Sequence, residues 1–197
     1  MTREQAIKLI EEHVENKNII KHMFALEAVM GALAKYFNKR PAFVKDYGEA
    51  SGAQWMMAGL LHDGDYCESV PPEKQGTQIV EWAKEKGYEI PDNVAQAMAA
   101  HNWHNTGVEP KCPMDWSIFC ADSLTGLIVA CALVLPSKKL ADVTVEMVLK
   151  KFKSPSFAKG TRRDDIALCE EKLGIKLPDF IAISLKAMQS ISGELGL

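Results

Sequence analysis

The chain has 197 residues, a formal net charge of −3 and a pI near 6.0, and 47% of its residues are hydrophobic. These values predict one domain with a sizeable core, and they argue against general attraction to nucleic acid polymers or anionic membranes. Five cysteines without a C-x-x-C pair argue against a disulfide framework or a structural zinc module. With no secretory signal in the charged N-terminal segment, we expect a cytoplasmic protein.

Helical signals begin at the first residues. Thr2 and Gln5 match a capping box and predict a helix that ends near residues 16–18. A second helix is predicted from about 19 to 37, because apolar residues recur at the three-and-four spacing of one helical stripe. His22 lies on that stripe, so its imidazole is expected to face the core.

The next apolar helix carries the most informative motif of the chain. It closes at His62, Asp63 and Gly64, and the glycine suits a C-terminal stop. After a turn that contains two prolines, residues 73–86 and 91–101 are each predicted to form a helix. Connections of this length are typical of helical bundles.

Residues 116–135 form the most apolar predicted helix, and Asp122 lies within it. An aspartate in the middle of a membrane span is costly, so a buried core helix is favoured over a transmembrane one. From Thr144 the pattern weakens, and a final helix is predicted over about 178–195. Strand alternation is absent throughout. The sequence therefore predicts an all-α fold, with residues 1–140 as a helical core and 141–197 as a C-terminal helical extension packed on the same domain.

Four side chains are candidate metal ligands: His22, His62, Asp63 and Asp122. Neutral imidazoles and carboxylates bind divalent metals, and helices can direct them at one point inside a bundle. Taken singly, each residue has an ordinary structural interpretation, as a satisfied core histidine, a helix-end pair or a hydrogen-bonded core carboxylate. Taken together they favour a metal site, because an ionised aspartate in an apolar helix is costly unless it is paired or coordinated.

The order His22, then His62-Asp63, then Asp122 resembles the H…HD…D signature of the HD-domain superfamily of metal-dependent phosphohydrolases, over roughly residues 15–135. The stretch from His62 to Tyr66 reads H-D-G-D-Y and departs from the frequent H-D-I-G-K form. It is more similar to a group of small prokaryotic HD-domain proteins with an acidic residue two places after the HD pair.

The resemblance implies an HD-type helical bundle, one divalent metal held by the four residues, and hydrolysis of a phosphate ester by metal-activated water. The expected substrate is a nucleotide or another small phosphorylated metabolite. The motif does not distinguish Mn, Zn, Fe, Mg, Ni or Co, and a second metal is less expected than one. Two alternatives stay open: a di-iron oxygenase on the same fold, and a non-catalytic regulatory module that binds a ligand.

Further residues near the motif are candidates for catalysis. Asp63 is expected to couple the metal to proton transfer, and Asp65 and Glu68 follow it closely enough to orient or deprotonate a water. His101 is assigned to the catalytic group, and His104 is expected to contact the substrate. The alternative for Asp65 and Glu68 is a charged, solvated turn, and for His104 a solvated loop.

A basic cluster in the C-terminal part could fold back over the site and bind phosphate, although such clusters are more often solvated. Lys153 and Arg163 are the two residues we select for substrate binding from Lys150, Lys151, Lys153, Lys159, Arg162 and Arg163. The last helix carries Phe180, Ile181, Leu185 and Met188, which could pack within the chain or against a second copy. A homo-oligomer therefore stays possible.

Overall fold

The computed structural model describes all residues from 1 to 197 as twelve α-helices with no strand. The all-α prediction is confirmed. Two short 3₁₀ turns, Pro72–Lys74 and Leu140–Asp142, lie between helices. The helices are α1 (Arg3–His13), α2 (Lys17–Asn38), α3 (Pro41–Tyr47), α4 (Gly52–Leu61), α5 (Gln78–Glu85), α6 (Asp92–His101), α7 (Trp103–Thr106), α8 (Pro113–Leu133), α9 (Val145–Phe152), α10 (Arg163–Leu173), α11 (Leu177–Ser190) and α12 (Ser192–Leu195).

The capping box predicted at the N-terminus is present. The backbone N–H of Gln5 donates to Thr2 Oγ1 at 3.3 Å, and the backbone N–H of Thr2 donates to Gln5 Oε1 at 2.8 Å. These two bonds satisfy N–H groups that the first turn of α1 would otherwise leave without partners. Local sequence alone therefore specifies where α1 begins.

The segment predicted as one helix over 73–86 is divided. A 3₁₀ turn ends at Lys74, and α5 begins only at Gln78. Between them Gly76 adopts a left-handed backbone with a φ of 89°, which a helix cannot contain. The prediction is wrong there because the chain turns to bring the backbone N–H groups of residues 76 and 79 onto a buried carboxylate.

Gly64 does not end α4 in the manner predicted. The helix ends at Leu61, His62 keeps helical backbone angles, and Gly64 is absent from the residues with a left-handed backbone. A Cβ at Gly64 would overlap the Ile79 side chain. The position therefore requires glycine for close packing rather than for a left-handed C-terminal cap.

A single hydrophobic core runs from Ala6 to Leu195. Helices α2 and α8 lie at its centre: α2 packs against α4, α8 and α11, and α8 also packs against α6 and α10. Residues of the C-terminal part share this core, among them Phe180, Ile181, Leu185 and Met188, which are buried within the chain. The apolar face of the last long helix is thus covered intramolecularly.

Helix α8 is long and apolar enough to cross a membrane by length and composition. Of its most apolar window, however, 61% is buried inside the fold. The helix packs against neighbours along its length, as the core helix of a folded domain does.

Candidate metal centre

His62 is fully buried at the end of α4, with its ring orientation fixed by the backbone. Its Nδ1 lies 2.8 Å from the carbonyl oxygen of Gly59. A carbonyl can only accept, so Nδ1 carries the proton and Nε2 presents a lone pair. Glycine at position 59 also brings the helices together, since a Cβ there would lie 2.7 Å from the carbonyl oxygen of Leu26 in α2.

His22 on α2 is held in the same way by α8. Its Nδ1 lies 3.0 Å from Thr125 Oγ1, and the Thr125 hydroxyl donates to the carbonyl oxygen of Asp122 at 2.8 Å. Because that bond uses the hydroxyl proton, Thr125 accepts from the Nδ1–H of His22. When the ring is neutral, the Nε2 atom of His22 is therefore also a lone pair.

The two carboxylates complete the group that we call the ligand cluster: His22, His62, Asp63 and Asp122. Asp122 Oδ1 lies 2.8 Å from His22 Nε2 and 3.8 Å from His62 Nε2. Asp63 Oδ2 lies 3.3 Å from His62 Nε2 and 3.7 Å from His22 Nε2. Helices α2 and α8 and the residues that follow α4 thus direct four side chains to one point.

The chemistry of this cluster fits a bound cation. The two Nε2 atoms are 3.1 Å apart, and two lone pairs at that distance repel unless a proton or a cation lies between them. The ligand atoms of His22, His62 and Asp63 all lie within 4.8 Å of one another. Metal bonds to nitrogen and oxygen of about 2.0–2.2 Å place pairs of ligands at such separations. These three residues could hold a metal ion, and Asp122 Oδ1 is at the same place.

The aspartates of the cluster and the neighbouring histidines interact electrostatically, which shifts the pKa values of Asp63, Asp122 and His22. Burial raises the pKa of Asp63, but His62 and His101 outweigh it and hold that pKa well below the ordinary aspartate value. Burial also opposes ionisation of Asp122, and the hydrogen bond from His22 nevertheless lowers its pKa. The pKa of His22 shifts the other way, since Asp122 raises it against the effect of burial. Both carboxylates are thus ionised and available as ligands.

His101 lies beside the cluster at the end of α6. It is 8% exposed, its Nδ1 donates to the carbonyl oxygen of Met98, and its Nε2 lies 3.4 Å from Asp63 Oδ1. Burial lowers its pKa, but the Asp63 carboxylate raises it above the ordinary value. A third imidazole therefore presents Nε2 to the free oxygen of Asp63.

Asp65 is buried, and its carboxylate is bound by the backbone of the turn before α5. Its carboxylate accepts from the backbone N–H of Gly76 at 2.8 Å and from that of Ile79 at 3.0 Å. Burial raises its pKa, although these two bonds oppose the shift. Its visible contacts are those of an anchor for the turn before α5. Glu68 is exposed and lines a neighbouring surface cleft with Glu12 and Glu15.

The ligand cluster opens into a polar cleft of about 550 Å³. Besides His22, Asp63, His101 and Asp122, its wall includes Tyr66, Gln75, Asn102, Asn105, Ser123, Gly160 and Arg162. Three of these carry side-chain amides: Gln75, Asn102 directly after α6, and Asn105 in α7. Arg162 immediately precedes α10. Arg162 is not among the residues selected from sequence, because nothing in the local pattern distinguishes it from Arg163.

The two basic residues selected from sequence lie outside this cleft. Arg163 donates from Nη1 to the carbonyl oxygens of Ala158, at 2.7 Å, and Thr161, at 2.8 Å, and from Nη2 to that of Phe157. Its guanidinium thus holds the chain segment before α10. Lys153 and His104 line a second cleft, where His104 Nε2 lies 3.1 Å from Asp165 Oδ2.

Comparison of the chain with protein-family models, with curated proteins and with solved structures found no match. The fold and the site therefore define the class of protein by themselves. It is an all-helical protein with a buried His-His-Asp group that could hold a metal ion.

Proposed function

We propose that this chain is a metal-dependent phosphohydrolase with the HD-domain architecture, acting on a small phosphorylated metabolite in the cytoplasm. The observation that carries the proposal is the convergence of two imidazole Nε2 lone pairs, one of them fully buried, and two carboxylates at the floor of an open, polar cleft. The order of these residues, H…HD…D, resembles that superfamily and supports the same interpretation.

A divalent cation held by His22, His62, Asp63 and Asp122 would supply Lewis acidity and a nucleophile from water at neutral pH. The chain supplies the rest. The Oδ1 atom of Asp63, which faces His101 rather than the Nε2 atoms of His22 and His62, is placed to accept a hydrogen bond from the attacking water and so orient it. His101 Nε2 would donate to a phosphoryl oxygen when the ring is protonated.

The cleft wall would orient the phosphate. Asn102 and Asn105 are amide donors, and Asn102 is fixed by donation to the carbonyl oxygen of Pro72 at 3.0 Å. The guanidinium of Arg162 would neutralise phosphoryl oxygens as charge develops in the transition state. Every wall group named here is polar, which suits a small charged ligand better than an apolar one.

The deciding experiment is metal analysis of the protein purified without chelator, with His62→Ala measured beside it. We expect one metal per chain in the wild type and none in the variant, followed by phosphate release in a screen of monoesters and diesters. His13→Ala is the matched control. His13 in α1 stacks on Trp82 in α5, so its substitution should leave the metal in place. Metal content unchanged in His62→Ala would refute the site. An absence of metal in both proteins after reloading would favour a regulatory module.

A binuclear site is the second candidate, and one observation favours it. Asp63 directs Oδ2 to His22 and His62 and Oδ1 to His101, so Asp63 and His101 would offer ligands to a second metal ion. Two irons per chain with oxygen-dependent turnover would indicate a di-iron oxygenase. His104 is an unsuitable additional ligand because its Nε2 is paired with Asp165.

A further inference from the structure

A second cleft, of about 800 Å³, lies beside the first and is strongly basic. It is formed by the end of α9, the segment that follows it, the start of α10 and His104 of α7. We call it the basic cleft. Its charged residues are Lys153, Lys159, Arg162, Arg163, Asp164 and Asp165.

Most of the positive charge in the basic cleft is not neutralised by the protein. Asp165 is paired with His104 at 3.1 Å and lies 3.9 Å from Arg162. Lys153 and Lys159 form no ion pair, and Arg163 binds only carbonyl oxygens, which leave its charge uncompensated. Asp164 lies in the first turn of α10, where an acidic residue stabilises the helix.

The basic cleft is continuous with the metal-facing cleft through Arg162, which lines both. Its backbone N–H donates to Ser123 Oγ at 3.3 Å, and Ser123 follows the ligand Asp122 directly. Arg163 holds the same segment from the other side through three carbonyl oxygens. These bonds hold the backbone that carries Arg162 and Arg163 beside the ligand cluster.

We propose that the basic cleft is a phosphate subsite, and that the substrate carries a second phosphate besides the one cleaved at the ligand cluster. The second clause rests on the proposed function. Four cations face two carboxylates in this cleft, and a phosphate dianion matches the excess better than a single carboxylate does. The substrate class is therefore a small bisphosphorylated metabolite.

A groove on another face provides the comparison that separates a subsite from ordinary surface lysines. Lys35, Lys39 and Lys186 line that groove between α2 and α11, remote from the ligand cluster. It has a similar number of cations, but the rest of its wall is largely apolar. Substitution there controls for net charge alone.

The first test is a titration of ¹⁵N-labelled, chelator-treated protein with inorganic phosphate at constant ionic strength, followed by amide chemical shifts. We expect saturable chemical-shift changes over residues 159–165 in the wild type. In the double variant Lys153→Gln, Lys159→Gln, the dissociation constant for phosphate should be at least tenfold larger. The double variant Lys39→Gln, Lys186→Gln carries the same charge change and should bind phosphate as the wild type does. Equal weakening in both double variants, or no shifts over 159–165, would overturn the subsite.

The second test compares hydrolysis of propane-1,3-diol monophosphate with that of its bisphosphate. The wild type should prefer the bisphosphate by tenfold or more in kcat/KM, and the Lys153→Gln, Lys159→Gln variant should lose this preference mainly through KM. A preference unchanged in the variant would refute the bisphosphate class. If neither compound is hydrolysed while phosphate still binds to the basic cleft, the proposed function fails and the subsite stands.

Discussion

The ligand cluster and the basic cleft adjoin one another and are built on opposite physical principles. In the ligand cluster, each imidazole is short, buried or half-buried, and held at Nδ1 by an oxygen acceptor. In the basic cleft, the lysines are long, exposed and without ion-pair partners. The first arrangement fixes atoms to a fraction of an ångström, as metal coordination requires, while the second supplies charge at low structural cost. Substitutions should therefore act steeply in one region and gradually in the other.

The largest effect is expected from Asp63→Ala in the ligand cluster. This carboxylate is the only group that faces both the two metal-facing imidazoles and His101. Its removal should lower phosphate release by at least about a thousandfold while the helical content, measured by circular dichroism, is retained. Turnover that persists in this variant would remove Asp63 from the mechanism. The expected contrast between steep effects in the ligand cluster and gradual effects in the basic cleft would then fail.

A smaller effect is expected where the cluster is supported rather than formed. Thr125→Val removes the acceptor of the His22 Nδ1–H and should weaken metal affinity about 10–100-fold, measured by competition with a chromogenic chelator. Ser117→Ala on the same helix is the control, because its buried hydroxyl has no hydrogen-bond partner. Equal affinities in the two variants would show that the imidazole needs no fixed orientation.

Asp65→Ala should affect stability and spare the metal. It leaves the backbone N–H groups of Gly76 and Ile79 without partners, at a cost of about 2 kcal/mol in the free energy of unfolding. Urea unfolding and metal analysis on the same sample measure both quantities. Lost metal with an unchanged unfolding midpoint would instead return Asp65 to the catalytic group.

Arg163→Met tests the scaffold of the basic cleft. Loss of its bonds to the carbonyl oxygens of Phe157, Ala158 and Thr161 should lower stability by about 1 kcal/mol. Amide hydrogen exchange should rise over residues 154–162 and remain unchanged in α2 and α4. Unchanged exchange over 154–162 would mean that other contacts hold the segment.

The smallest effect on stability is expected from Lys153→Gln and Lys159→Gln taken singly. Exposed lysines without partners contribute little to folding, so the unfolding free energy should change by less than about 0.5 kcal/mol. Urea unfolding of each variant beside the wild type measures this change. A marked loss of stability would place the lysines in the framework and remove the contrast between the two regions.

The ligand cluster could be predicted from sequence because helical periodicity determines direction. His22 lies on an apolar stripe, His62 and Asp63 follow an apolar helix, and Asp122 interrupts another. All four meet in the structure, as that reasoning expected. The all-helical class followed from the same periodicity.

Other features depend on contacts that no local pattern encodes. The Asp65 carboxylate accepts from backbone groups 11 and 14 positions further along the chain. Its closeness to His62 and Asp63 in sequence therefore does not reveal these contacts. Arg162 and Arg163 are identical neighbours, and only the turn before α10 decides which one faces the cleft. Helix α10 itself had a usable signal, the apolar spacing of Ile166, Cys169 and Leu173, which the surrounding charges obscured.

The 3.1 Å contact between Nε2 of His22 and Nε2 of His62 would link folding to the supply of the proposed ion. Because the native arrangement brings these lone pairs together and the unfolded chain does not, an ion held there would bind the native state preferentially. Each tenfold rise in free ion above the dissociation constant should then add about 1.4 kcal/mol to the unfolding free energy. The melting temperature of this protein would become a gauge of metal availability, and a cell depleted of the ion would hold less of the folded chain.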